Sequence, residues 1–225
     1  MTKTDRLTRL FGKQIAQGEF EPASALPSEA DLCVRFEVSR NVMREVIKVL
    51  STKKLIDAQP HRGLFVMAQE QWNYLDADVL EWSLEKGTNP ELISSLIEVR
   101  SLIEPTISRW AAERATAVDL VAIEASYNEM NANRGNVSVF QEADIRFHKA
   151  ILAATHNVVI QQLSDAVSAL QRAIFDITFL TDTPHMELTM KEHNELFDAI
   201  RRKNPEAAVA ACHMLVGRTA ERARK

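Results

Sequence analysis

The fold is decided by residues 26–66, which read LPSEADLCVRFEVSRNVMREVIKVLSTKKLIDAQPHRGLFV. A first helix is expected over residues 29–36, because the Ser28 side chain can accept a hydrogen bond from the backbone N–H groups that a helix start leaves unpaired. Acidic residues follow in the first turn, where the helix dipole favours negative charge. Glu37 and Val38 then form a turn, so the sequence predicts a short helix with a defined start and end.

A second helix is expected over residues 40–53, with Ser39 as its N-cap. Apolar side chains recur in it at helical spacing and predict one buried face: Val42, Met43, Val46, Ile47 and Leu50. Polar side chains fall on the opposite face: Arg40, Asn41, Arg44 and Lys48. This helix therefore presents cations and an amide to solvent or to a partner.

Two short strands close the stretch. Residues 55–58 and 64–66 are expected to pair across a turn at residues 59–63, which contains the turn-forming Pro60 and Gly63. A charged helix face taken alone is usually only a solvated surface. Helix, turn, helix and hairpin in this order, however, predict a winged helix-turn-helix that binds DNA.

The chemistry of the DNA grooves explains why these residue types are needed. A helix fits the major groove, and a guanidinium can donate two hydrogen bonds to the acceptor edge of guanine. Arg40 and Arg44 lie four residues apart, so both can enter one groove. Lys48, Lys53 and Lys54 are expected to meet phosphates, which add affinity without sequence information.

Three short motifs make the DNA-binding prediction specific. LPSE at 26–29, SRNVMREV at 39–46 and RGLFV at 62–66 resemble the DNA-binding domain of the GntR family of bacterial transcription regulators. The resemblance implies DNA contacts from the second helix and from a wing tip that enters the minor groove: Ser39, Arg40, Asn41, Arg44, Arg62 and Gly63. Many members of the family have arginine where this chain has Ala30, so one family contact is missing here.

Charge divides the 225-residue chain into two parts. Residues 1–67 carry 11 lysines and arginines against 8 acidic residues, whereas the remainder carries 16 against 23. Since DNA binding depends on local potential, the net charge of −4 does not exclude it. We expect a DNA-binding domain at 1–68, a linker or docking helix at 69–88 and an all-helical effector-binding and dimerisation domain at 89–225. The aromatic residues of the linker are expected to dock one domain on the other: Trp72, Tyr74 and Trp82.

The sequence offers no signal for export or membrane insertion. Its first residues lack the apolar stretch of a signal peptide, and no apolar run approaches the length that spans a bilayer. We therefore expect a cytoplasmic protein without a membrane partner. Cys33 and Cys212 lie in different predicted domains and at no metal-ligand spacing, so both are expected to be free thiols.

Beyond residue 89 the sequence predicts helices only. They are expected over residues 90–114, 117–131, 137–155, 158–179, 187–202 and 205–222, separated by breakers such as RGN at 134–136 and TP at 183–184. No segment alternates as a strand would. The predicted fold class is mainly α, with an N-terminal winged helix-turn-helix joined to an all-helical bundle.

Three polar residues of the predicted bundle are candidates for one site. Asp144 and His148 lie four residues apart, so both side chains project from one helix face about a turn apart. His193, on a later amphipathic helix, could point into the same interior. One carboxylate and two imidazoles suit zinc, nickel, manganese or iron. An ordinary hydrogen-bonded network would produce the same spacing, so the pattern alone leaves both interpretations open.

The predicted bundle resembles the FCD effector domain of the FadR subfamily of GntR regulators. The resemblance rests on EVR at 98–100, on D-x-x-x-H at 144–148 and on the His193 motif, and it implies an effector pocket in which many members bind a metal. Those members supply a further histidine where this chain has Leu215; His213 lies about 200° away round the helix. Two alternatives follow. Either one divalent ion (zinc, nickel or manganese) is held by three protein ligands with water and effector, or the pocket binds its effector without metal.

Two arginines are candidates for binding an acidic effector. Arg100 offers a planar fork for a carboxylate, and Arg172 supplies another if its helix faces inward. Each could equally be the structural partner of a glutamate. Acid and imidazole side chains suit hydroxyls, so the predicted pocket favours a small polyhydroxy acid over a fatty acyl chain: Arg100, Asp144, His148, Arg172 and His193.

Longer segments are similar to GntR-family members that control galactonate catabolism: QWNYLD at 71–76, RWAAERAT at 109–116 and EADIRFH at 142–148. This resemblance implies a repressor of sugar-acid catabolism whose effector is D-galactonate or a related aldonate. We expect a homodimer on a pseudo-palindromic operator, because twofold protein symmetry matches twofold DNA symmetry. Effector binding would then release the operator DNA.

Other functions stay open at this point. A regulator of the same type could sense a different small carboxylate, and an architectural DNA binder would need no polar interior. A metal-dependent hydrolase could use Asp144, His148 and His193, but the sequence shows no convincing nucleophile or general base beside them. A hydrolase would also leave the DNA-binding domain unexplained, so we expect a regulator and not an enzyme.

Overall fold

The structure, a computed structural model, describes residues 2–84, 89–178 and 183–223, which belong to two units, Met1–Thr88 and Asn89–Lys225. In chain order the first unit contains α1 (Lys3–Ala16), α2 (Glu29–Arg35), α3 (Arg40–Thr52), β1 (Ile56–Gln59), β2 (Gly63–Val66) and α4 (Ala77–Leu84). The second contains α5 (Pro90–Arg114), α6 (Ala117–Ala132), α7 (Val137–Ala153), α8 (Val158–Gln161), α9 (Ser164–Thr178), α10 (Thr183–Arg201) and α11 (Pro205–Ala223). The mainly α fold class expected from the sequence is confirmed.

Local signals fix the start of both predicted helices in the first unit. The Ser28 hydroxyl accepts a hydrogen bond from the backbone N–H of Asp31, and the Ser39 hydroxyl accepts one from Val42. Between α2 and α3 the backbone of Glu37 adopts a left-handed φ of +53°, which reverses the chain within a few residues. The caps and this turn set the direction of α3.

The wing is an antiparallel hairpin of β1 and β2. Its register places Ile56 opposite Val66 and Gln59 opposite Gly63. Gly63 has a φ of +102°, a conformation that side-chain-bearing residues rarely adopt, so glycine is needed where the wing turns. The wing tip therefore has a defined backbone shape.

The core of the first unit includes a helix that the sequence analysis did not predict. Helix α1 contributes Leu7, Phe11 and Ile15 to a buried cluster that also contains the apolar face of α3. Trp72 and Trp82, from the segment assigned to a linker, belong to this same cluster. Helix α4 is therefore part of the packed first unit.

The second unit is a bundle in which α11 packs against α5 and α10, and α6 packs against α7. Its core draws large apolar side chains from many helices, among them Ile123, Phe140, Phe147, Leu196 and Val216. Both cysteines are free, and burial raises the pKa of Cys212 to about 12. No helix in the described ranges combines the length and the apolar character that crossing a membrane would require.

The structure corrects the single helix expected over residues 158–179. The chain forms α8, breaks at Gln162 and Leu163, and resumes as α9; residue 179 lies outside the described part of the chain. At the break, the N–H of Gln162 donates to Val159 and the N–H of Leu163 to Ile160, three residues back. Such tighter bonds end an α-helix, and the β-branched residues of α8 do not favour its extension.

Helix α10 also begins earlier than expected, at Thr183 instead of residue 187. Pro184 was expected to separate two helices, and that prediction is wrong. Proline is tolerated in the first turn of a helix, because the N–H that it lacks would have no partner there. Pro184 occupies this position.

Candidate DNA-binding surface and effector pocket

Seven of the residues predicted to bind DNA are exposed in the first unit. Four lie on one face of α3, its N-cap lies just before them, and two lie at the wing tip: Arg40, Asn41, Arg44, Lys48, Ser39, Arg62 and Gly63. The buried face of α3 holds Met43, Val46, Ile47 and Leu50, which fixes the opposite face outward. The geometry required of a recognition helix and a wing is therefore present.

Arg44 has a partner within the first unit. Its Nε donates to Glu29, 3.0 Å from Oε1 and 3.3 Å from Oε2, while 66% of its side chain is exposed. These contacts use one of the five N–H donors of the guanidinium. The ion pair orients Arg44 and leaves its terminal nitrogens to face other acceptors.

Lys53 does not behave as expected. Its ammonium lies 2.7 Å from a carboxylate oxygen of Asp76 and 2.7 Å from one of Asp78. Burial alone lowers the pKa of Lys53, but the two carboxylates raise it by more, so its charged form is stabilised. In this structure Lys53 holds the start of α4 and does not extend toward phosphate.

The second unit contains a polar cavity of about 60 Å³ among α5, α7, α9, α10 and α11. Its polar lining comes from all five helices: Arg100, Asp144, His148, Gln171, Thr189, Glu192, His193, Arg218, Thr219 and Arg222. Apolar walls are supplied by Phe140, Ile174, Phe175 and Leu215. Charged groups and room for a small molecule therefore coincide in the helical bundle.

Asp144, His148 and His193 meet in this cavity, as the helical spacing allowed. Each residue offers one atom that could bind a metal, and these three atoms all lie within 4.8 Å of one another. The Nε2 of His193 is 2.9 Å from Asp144 Oδ1, and the Nε2 of His148 is 3.8 Å from the same oxygen. His193 Nδ1 lies 2.7 Å from the carbonyl oxygen of Thr189, which accepts its hydrogen bond and fixes the ring with Nε2 toward the cavity.

Burial and charge act in opposite directions on this trio. Burial raises the pKa of Asp144, but the hydrogen bond from His193 and nearby positive charges lower it by more, which favours the carboxylate. Burial lowers the pKa of His193, but Asp144, the carbonyl of Thr189 and Glu192 together raise it by more. For His148 burial prevails, so its pKa lies below the usual value and the ring is neutral near pH 7. The cavity thus offers a carboxylate and a neutral imidazole.

The donor set fits a divalent ion. Ligand atoms at about 2.1 Å from one ion are at most about 4.2 Å apart, so the three donors need to approach each other only slightly. The carbonyl of Thr189 supplies the outer partner that metal-bound histidines usually have. Leu215 lines the same cavity, whereas His213 is exposed and is not among the residues that line it. A metal here would have three protein ligands from α7 and α10.

The two arginines predicted to bind an effector differ in position. Arg100 lines the cavity, but it is only 5% exposed and forms two hydrogen bonds with Glu104. Arg172 pairs with Glu142 at a half-exposed position and is not among the residues that line the cavity. The structural alternative, a glutamate partner, therefore applies to both, and only Arg100 also borders the cavity.

The cavity contains cations that the sequence analysis missed. Arg218 lies 2.7 Å from Glu192, and burial raises the pKa of that carboxyl despite the nearby arginines. Arg218 and Arg222 follow Leu215 by three and seven residues, which is one face of α11. Since Leu215 was already aligned with a ligand position of the family, continuing this helix face would have found both arginines.

Comparisons with known proteins agree with this geometry. Residues 4–66 match the family described as "Bacterial regulatory proteins, gntR family", and residues 95–218 match the FCD domain. The galactonate operon transcriptional repressor of Escherichia coli K12 is 50% identical over 222 residues, which span 99% of this chain and 97% of that protein. The chain belongs to the GntR family.

Solved structures have the same architecture as this GntR-family regulator. A GntR protein of Streptococcus agalactiae is 26% identical, covers 97% of each chain and superposes with a TM-score of 0.54. A structure of Lar from Listeria monocytogenes, at 18% identity and a TM-score of 0.68, covers 100% of this chain and 97% of its own, and supports the fold alone. The expectation of a DNA-binding transcription regulator, and not an enzyme, is confirmed.

Proposed function

We propose that this GntR-family regulator represses genes of galactonate catabolism and that D-galactonate releases it from its operator. The observation that carries the proposal is one chain with both an exposed cationic α3 and a buried, charged cavity in an FCD domain. Arginines around the cavity suit a carboxylate, and Asp144, His148 and His193 suit hydroxyl groups or a metal. The 50% identical galactonate operon repressor supports the choice of effector.

The proposed regulator acts as a homodimer. Two DNA-binding units related by a twofold axis place two copies of α3 about one helical turn of DNA apart, which matches a pseudo-palindromic operator. Each α3 would read bases in the major groove, and each wing tip would contact the neighbouring minor groove. Repression follows because the bound dimer occupies the promoter.

Release requires that the effector binds the DNA-free form more tightly than the DNA-bound form. A coupling of about 1–3 kcal/mol weakens DNA binding by about 5- to 150-fold. We expect this loss when saturating D-galactonate is added to the full-length protein on its own promoter fragment, measured by mobility shift at constant salt. Hexanoate, an acid of equal carbon number without hydroxyls, is the matched control and should leave the shift unchanged.

An unchanged mobility shift at saturating D-galactonate would reject this effector. If another small hydroxy acid abolishes the mobility shift, the proposed repressor role stands and only the identity of the effector changes. If the protein ignores its promoter fragment even at low salt, the proposed repression itself fails.

Substitutions of a base-reading residue and of a phosphate-binding residue in α3 should affect DNA binding differently. Arg44→Ala should cost about 1–3 kcal/mol on the operator and flatten the preference at one base pair, because a guanidinium can bind guanine through two hydrogen bonds. Lys48→Ala should weaken binding to all sequences equally and reduce the slope of log affinity against log salt by about 1. Fluorescence anisotropy on the operator and its single-base variants measures both; equal behaviour of the two variants would contradict the assignment of Arg44.

We also propose that the cavity holds one divalent ion, zinc, nickel or manganese, through Asp144, His148 and His193. Such an ion supplies a Lewis-acidic position for carboxylate and hydroxyl oxygens of the effector. The protein positions its own donors: α7 places two on one face, and the carbonyl of Thr189 orients the third. The effector would complete the coordination that Leu215 does not provide.

Metal binding should depend on the acidic member of the trio. Asp144→Asn should weaken binding of Zn²⁺, Ni²⁺ or Mn²⁺ at least about 10-fold, measured by titration calorimetry on chelated full-length protein. Asp165→Asn is the matched control, since Asp165 is exposed and pairs with Lys149. If the wild-type protein binds none of these ions yet binds the effector, the pocket works through hydrogen bonds alone.

A further inference from the structure

Gln171 has an unusual environment on α9. Its side chain is only 3% exposed, yet within the described ranges neither Nε2 nor Oε1 has a hydrogen-bond partner. It borders the effector cavity on one side and, on the other, a smaller cavity of about 20 Å³ that is also lined by Ser108 and Cys212. A donor and an acceptor are thus held between two cavities.

An amide in this position calls for an explanation. Most buried polar side-chain atoms in proteins have a partner, because leaving them unpaired forfeits the hydrogen bonds that they make with water. Met or Leu would fill the same space without that cost. A glutamine kept here therefore points to a partner that enters the cavity.

We infer that Gln171 recognises a hydroxyl group of the effector and so selects hydroxylated acids over plain carboxylic acids. The inference rests on the proposed function and adds the residue that reads the ligand. An amide both donates and accepts hydrogen bonds, and so does a hydroxyl, so the two groups satisfy each other. A carboxylate only accepts and an alkyl group does neither, so each would leave part of the amide unpaired.

The groups around the cavity suit different parts of such a ligand. Arg100 and Arg218 supply positive charge, which binds the acidic end of a ligand. Gln171 is an uncharged donor and acceptor on the wall of a cavity that the apolar residues Ile174 and Phe175 also line. Apolar neighbours exclude water, so a hydrogen bond formed there contributes strongly to discrimination.

The test compares Gln171→Met with Gln162→Met, the same substitution at an exposed position at the end of α8. Affinities of the full-length protein for D-galactonate and for hexanoate are measured by titration calorimetry. We expect Gln171→Met to weaken D-galactonate binding about 10- to 100-fold and to leave hexanoate binding unchanged or tighter. Gln162→Met should match the wild type with both ligands.

Ligand-free stability separates recognition from a structural role. Removing an unpaired buried amide should leave the melting temperature of Gln171→Met unchanged or higher, whereas loss of an amide satisfied by internal water should lower it. Gln171→Glu, which keeps the shape but loses the donor, is a second variant and should also weaken D-galactonate binding. Its affinity provides the answer if the methionine variant does not fold.

The results test the role of Gln171 separately from the proposed function. Equal D-galactonate affinity of the wild type, Gln171→Met and Gln171→Glu overturns this inference and leaves the proposed function intact. A lowered ligand-free melting temperature with an unchanged ratio of D-galactonate to hexanoate affinity also overturns it. If the wild-type protein binds no D-galactonate, the proposed effector and this inference fail together.

Discussion

Glu104→Ala should destabilise the second unit by about 3–5 kcal/mol, because it leaves a buried guanidinium without its counter-charge. Arg100 Nε donates to Glu104 Oε1 at 2.6 Å and its Nη2 to Oε2 at 3.3 Å. Both residues lie in the bundle interior, at 5% and 6% exposure. Burial lowers the pKa of Arg100, but the charge and hydrogen bonds of Glu104, together with other nearby groups such as Asp144, raise it by more, so Glu104 is the main partner that stabilises the cation.

The matched control for this pair lies on the surface. Glu206 forms an ion pair with Arg109 at 3.1 Å, with both side chains well exposed, so Glu206→Ala should cost less than about 1 kcal/mol. Scanning calorimetry with urea unfolding measures both variants. Equal stability losses would show that the Arg100 pair is screened as a surface pair is, and would contradict its buried character.

Gly12→Ala should destabilise the first unit by about 1–3 kcal/mol, through overpacking of its core. A Cβ at position 12 would lie 2.1 Å from Cζ3 of Trp82, far inside van der Waals contact. Trp82 is only 2% exposed and is enclosed by the cluster of α1 and α3, so its ring has little space to retreat. The substitution therefore forces α1 and α4 apart.

Gly217→Ala is the matched control, and its effect should have the opposite sign. Gly217 is an exposed helical residue of α11, and a Cβ there meets nothing within 4 Å. Alanine in an open helix position stabilises by about 0.5–1 kcal/mol relative to glycine. Thermal unfolding of both variants checks these predictions. If Gly12→Ala stabilises the protein, the Trp82 ring can move aside without a loss of stability.

Local signals predicted much of the first unit. The N-caps of α2 and α3, the apolar face of α3 and the glycine of the wing each depend on residues a few positions apart. Helix α1 was not predicted, although its buried residues Leu7, Phe11 and Ile15 recur every four residues. Its capping box at Thr2 and Asp5 was a further signal.

The site in the second unit was predictable only in part. Asp144 and His148 share a face of α7, which the spacing alone predicts. That His193 reaches the same point depends on how α10 packs against other helices, and no local pattern encodes this. Arg172 was predicted to bind the effector, whereas the structure places its neighbour Gln171 at the cavity, since one residue rotates a side chain by about 100° around a helix.

The carboxylate of Glu29 beside Arg44 has a consequence for the search along the genome. A negative group at the proposed DNA-reading surface would cancel part of the attraction that any duplex exerts on a basic protein, and would thereby shorten residence on unrelated DNA. Binding to the operator would lose a smaller share of its affinity, because the correct base pairs add hydrogen bonds of their own. Glu29 would thus lower the total affinity for DNA but raise the ratio of operator binding to binding at the many competing sites.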